Sequence, residues 1–248
     1  MLWRKAWRES RARFLIGAAT LGGSCLLLLQ RDLSRLHLHF ELPQPYTAIV
    51  WSAIYSPRME VVFVLLCLVL GLGGLHRERA AGTAPFTLAL PVSRMAVLGT
   101  RAGVGVLEVA ALAFLPALLV PAVSPLLAQQ SYPVALAATF GLLFLPWGLV
   151  WFAASLLWST LLKNDYSAML ASLLTPFAFT AVYVNLPAPL RSRFPSGDFF
   201  EFMSGASQVE AKTYLFTGQL PLPAVAGWAA VAMAVILSAA VVTSRQDF

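Results

Sequence analysis

The side chains able to do covalent or metal chemistry in this chain are few and scattered. Three histidines, His37, His39 and His76, and two cysteines, Cys25 and Cys67, supply all its imidazole and thiol groups. His37 and His39 are weak evidence for a metal pair and read as surface histidines. Both cysteines lie inside apolar runs, which fits neither a disulfide framework nor a zinc site. No Gly-x-x-x-x-Gly-Lys-Ser/Thr sequence is present to cradle nucleotide phosphates, and no His-Glu-x-x-His to bind a catalytic zinc. With no histidine inside an apolar run, an intramembrane serine has no base to activate it. The sequence therefore points to no catalytic residue, no cofactor site and no metal site. One acidic residue, Glu108, reads as lying well inside an apolar run. Lipid penalises such a group, so it must face protein or water, and pairing with Arg101 is its structural reading.

The elements around these residues follow from composition. Of 248 residues, 59% are hydrophobic and 11% charged, where a soluble chain carries about 25% charged residues. Mean hydropathy is +0.76. The expectation is an all-α integral membrane protein, one transmembrane domain over residues 1–248. Six apolar runs approach the ~20 residues a crossing needs. They fall at about 14–30, 58–75, 102–124, 133–162, 166–185 and 221–243. They are solidly apolar rather than alternating, which excludes a barrel. Pro146 marks a kink in the fourth. With the N-terminus inside, eleven Lys and Arg fall on the cytoplasmic side and six outside, as the positive-inside rule requires. Six crossings return the C-terminus to the cytoplasm. The net charge of +6 is then explained by topology and anionic lipid, without nucleic acid.

Residues 2–14 form an amphipathic stripe. Trp3, Trp7, Ser10 and Phe14 share one face, and Arg4, Arg8 and Arg11 another. That pattern predicts an elbow helix lying in the headgroup layer before the first crossing; a basic cap on that crossing is the plainer reading. The apolar run after it lacks a small-residue cleavage site and reads as a retained anchor. Tyr46 to Trp51 is too short to cross and reads as an interfacial stretch. Gly99 and Gly103 are spaced for close helix packing. The outer segment 186–222 reads as amphipathic over 198–216.

The segment His76–Arg101, HRERAAGTAPFTLALPVSRMAVLGTR, is the part of the chain built to touch something in water. Thr83 suits an N-cap and Pro85 a first helical turn. Phe86, Leu88, Ala89 and Leu90 add one or two apolar turns before Pro91 stops them. Such a helix is too short to cross and too apolar to stand in water. Either it occupies a groove on a partner, with Glu78 and Arg94 as charged edges, or it is a loop folded on the membrane surface. Physics alone leaves both open.

Glu78, Gly82-Thr83 and Leu88-Ala89-Leu90-Pro91-Val92-Ser93-Arg94 together resemble the cytoplasmic signature of ABC transporter permeases of the type-2, exporter-like class. The closing Arg245-Gln246-Asp247-Phe248 is similar to the short tails common there. The resemblance implies six transmembrane helices with an N-terminal interfacial elbow helix and a short cytoplasmic coupling helix, in a bacterial-type cytoplasmic membrane. It implies a non-catalytic permease subunit working with a second copy, as a homodimer or related heterodimer. ATP and Mg are bound by a separate ABC ATPase subunit, and relatives also work with accessory periplasmic or extracellular proteins. ATPase docking then falls to Glu78, Gly82, Thr83, Pro85, Phe86, Leu90, Pro91, Ser93 and Arg94. Phe177, Phe179 and Tyr183 become candidates for lining a path for a hydrophobic or amphipathic cargo, or for packing and lipid contact. The competing class is a membrane enzyme or assembly scaffold with no ATPase, for which Glu108 and Asn185 are a thin polar inventory.

Overall fold

The computed structural model describes residues 2–38, 46–55, 57–72, 93–162, 164–185 and 222–245, and all the regular structure among them is helical. In chain order the helices are α1 (Leu2–Leu38), α2 (Tyr46–Ile54), α3 (Pro57–Gly71), α4 (Arg94–Leu127), α5 (Val134–Leu161), α6 (Asp165–Val184) and α7 (Leu222–Arg245). Each of the six apolar runs in the sequence is a helix. Four stretches among the described residues are long and apolar enough to cross a membrane: Leu2–Ser34, Met95–Leu127, Val134–Leu161 and Val225–Arg245. The chain is thus a multi-pass membrane protein. Among the described residues the expected count of six is not reached. The second run yields only the 15 residues of α3, about 22 Å of helix, well under a hydrocarbon core of about 30 Å.

The α5 helix is the centre of the bundle, packing against α3, α4, α6 and α7. Its sequence is apolar all round, which suits a helix surrounded by others. Trp147, Trp151, Phe140, Phe152 and Leu156 are buried in its several faces. The Trp158 indole donates to Thr175 Oγ1 at 2.8 Å, tying α5 to α6. Trp147 meets Trp228 of α7 edge to face, with centroids 6.0 Å apart, a favoured aromatic geometry. At Gly71 the α3 and α5 backbones nearly touch. A Cβ there would sit 2.5 Å from the Phe152 carbonyl oxygen, so only glycine fits.

Two sequence expectations change in the structure. No break separates an elbow helix from the first crossing; α1 runs unbroken for 37 residues, about 55 Å. The cause is legible, since no Gly or Pro lies between Leu2 and Ile16 to interrupt the helix. The second concerns Tyr46–Trp51. It belongs to α2, whose Tyr46, Ile49, Val50, Ala53 and Ile54 are buried in the bundle rather than resting on its surface. There the Tyr46 hydroxyl bonds Ser124 Oγ of α4 at 2.7 Å. The predicted outer amphipathic stretch 198–216 lies outside the described residues.

Candidate functional site

The end of α3 is where polar groups converge. A helix leaves its last four carbonyls without intrahelical donors, and in a membrane such groups must find partners within the protein. Three neighbouring helices supply them. Ser155 of α5 donates its hydroxyl to the Leu68 carbonyl at 2.6 Å. Arg13 of α1 donates to the Val69 carbonyl at 3.2 Å and also to the Leu72 carbonyl. Arg101 of α4 donates to that same Leu72 carbonyl at 2.8 Å. Guanidinium groups at a helix C-terminus also meet the negative end of its dipole, which adds to the hold.

Glu108 closes this knot from inside the bundle. It lies seven residues after Arg101 on α4, so the two share a face. Only 2% of its surface is exposed. One carboxylate oxygen accepts the Ser10 hydroxyl of α1, and the charges of Arg13 and Arg101 both act on it. The other oxygen has no hydrogen-bond partner among the described residues. Beside it is a cavity of about 10 Å³, lined by Ser10, Arg13, Leu70, Arg101, Gly105 and Glu108, which has room for about one water. The expected Arg101–Glu108 relation is electrostatic, and Arg101 also donates a hydrogen bond to the backbone. The amphipathic stripe of α1 turns in part towards protein: Ser10 reaches Glu108, and Trp3 lies over Gly103, whose Cβ would come within 2.9 Å of the indole. A Cβ at Gly99 would meet no described residue within 4 Å, so of the glycine pair it is Gly103 that takes a close contact, from Trp3 of α1.

The knot is the root of the segment that joins α3 to α4. Glu78, Gly82, Thr83, Pro85, Phe86, Leu90 and Pro91 lie outside the described residues. At the segment's other end Ser93 is the N-cap of α4, its hydroxyl accepting the Ala96 N–H at 3.1 Å. Arg94 is the first residue of α4. The suggested path residues all belong to α6. Phe177 on α6 is 72% exposed, Phe179 packs edge to face on Trp151 at 6.1 Å, and Tyr183 is in the last turn of α6.

Sequence reasoning missed a second buried carboxyl, Glu60. It is 0% exposed, with neither carboxylate oxygen hydrogen-bonded among the described residues. The Trp147 indole faces it, and Trp151 stands against Trp147 with centroids 4.9 Å apart. Trp147 lies 13 residues from the start of α5 and 14 from its end, about 20 Å from either. Glu60 thus lies beside the middle of α5, although it is in the first turn of its own helix. Placing residue 58 at a membrane surface hid this, because α3 starts only after α2 has entered the bundle. Cys25 and Cys67 are buried and free, and no group of three His, Cys, Asp or Glu assembles among the described residues. Compared with known protein families, curated proteins and solved structures, the chain matches none.

Proposed function

We propose that this chain is the permease subunit of an ATP-driven exporter of the ABC type-2 class, coupled to a separate ATPase through the segment between α3 and α4. The observation that carries the reading is how that segment is mounted. Its entry is gripped by side chains of α1, α4 and α5, and its exit is a capped helix start. An apolar segment mounted on so firm a base suits a part that receives a push. The Gly82-Thr83 to Ser93-Arg94 sequence supplies the resemblance, and the absence of a phosphate-binding loop in this chain calls for a second protein to hydrolyse ATP.

In this reading the membrane is crossed six times, with both termini in the cytoplasm. The α6 helix, at 20 residues, measures about 30 Å, and α2 followed by α3 makes one broken crossing. Broken helices within a membrane are tolerated where protein buries them, as it does α2. Two permease copies enclose the path of a hydrophobic or amphipathic cargo. The exposed Phe177 face of α6 is available to lipid or to the second copy.

The test is Phe86→Asp. A carboxylate placed in an apolar groove is left unpaired, at a cost of several kcal/mol. The variant is expected to insert normally and to lose its ATPase in co-purification. Full retention of a bound ATPase by Phe86→Asp would remove the docking role of residues 83–90.

A further inference from the structure

We infer that Arg13 and Arg101 are positioning residues that pass movement of the cytoplasmic segment into α1 and α4, acting through the Leu72 carbonyl. The inference rests on the permease reading and adds to it the route by which the push travels.

Three features of the knot lead there. The two arginines come from different helices, yet both bond the Leu72 carbonyl just past the end of α3. Each donates to backbone as well as acting on Glu108, which helps to fix where the end of α3 sits. Next, α3 cannot yield by sliding into α5. Gly71 is already against the Phe152 carbonyl, and Ser155 holds Leu68 from the same side. A displacement of Leu72 therefore carries its partners with it, because packed interiors shift as bodies rather than deform. Finally, the Ser10–Glu108 hydrogen bond joins α1 to α4 next to the arginines, so those two helices move together. The route then follows α4 from Arg101 to Leu127, the opposite end of that helix. Arginine suits this task better than lysine, since its rigid fork of donors holds a fixed geometry.

The experiment uses the purified permease–ATPase complex in lipid nanodiscs. A cysteine is placed at Leu126, near the far end of α4 and 81% exposed, and its labelling rate by a maleimide is measured with and without ATP and vanadate. Cys25 and Cys67 are buried, and buried thiols react slowly, so the background is low. The expected result is a severalfold change in rate on nucleotide trapping in the parent. With Arg13→Gln and Arg101→Gln combined, that change shrinks to less than twofold while the ATPase stays bound and hydrolyses ATP. The Arg13→Lys, Arg101→Lys pair, which keeps charge and donors, is expected to retain about half of it. A role confined to holding the fold predicts another pattern: less stable protein, but an undiminished change in the complexes that assemble. That pattern, or an unchanged rate in the parent, overturns the inference. If the Gln pair fails to fold, the Lys pair decides, since full retention contradicts a need for the fork geometry. Absence of any co-purifying ATPase overturns the permease reading itself and is seen before labelling begins.

Discussion

Glu108 and Glu60 are both removed from water, and their surroundings have almost nothing in common. Glu108 is held by the Ser10 hydroxyl, flanked by two guanidinium charges and bordered by a cavity for about one water. Glu60 is fully buried, with the Trp147 indole facing it and Trp151 against that ring. The difference teaches that burial alone does not define a working polar site. What sets Glu108 apart is that it belongs to a network whose other members grip the backbone at the end of α3. Glu60 has no such attachment, so its carboxyl can be exchanged for a neutral group at little structural cost.

The comparison can be broken by substitution, with thermal or denaturant unfolding in detergent as the measurement. The largest effect is expected from Arg101→Met, which strips a charge from beside Glu108 and a donor from the Leu72 carbonyl. Breaking a fully buried ion pair costs about 3–5 kcal/mol; Arg101 is partly exposed, so about 2 kcal/mol is expected. Glu108→Gln comes next, since it weakens a charge-assisted hydrogen bond worth about 1.5 kcal/mol. The smallest effect belongs to Glu60→Gln, within about 1 kcal/mol in either direction, because no partner is orphaned. A Glu60→Gln loss larger than that of Glu108→Gln would invert the comparison. Double-mutant cycles sharpen it. Glu108→Gln and Arg101→Met should couple by about 1 kcal/mol, while Glu60→Gln and Arg101→Met should add within about 0.5 kcal/mol.

How legible this was in the sequence depends on what kind of information each feature carries. The helices were legible because solid apolar runs of the right length have few alternatives in a membrane, and α5 was found to within a residue at each end. Their depth was not. An apolar run gives the length of a helix and not the level at which it starts, so α2 was read as interfacial and Glu60 was overlooked. The continuity of α1 was available from the absence of Gly and Pro before Gly17, but its tryptophans and arginines argued more strongly for a separate surface helix.

The knot was half visible. Arg101 and Glu108 at a spacing of seven, and Ser10 and Arg13 at a spacing of three, each mark one helix face. What could not be read was their common target. Hydrogen bonds from Arg13, Arg101 and Ser155 to the carbonyls of Leu68, Val69 and Leu72 leave no pattern in side-chain identities. The docking residues 78–91 rest on sequence resemblance alone, and only their two attachment points are drawn in the fold.

The most direct test of the account is native mass spectrometry of the protein isolated in mild detergent from its own membranes, repeated in nanodiscs. The account predicts two permease copies with two copies of a protein carrying a phosphate-binding loop, in fixed stoichiometry. A clean permease without any such protein, in both detergent and nanodiscs, would contradict it.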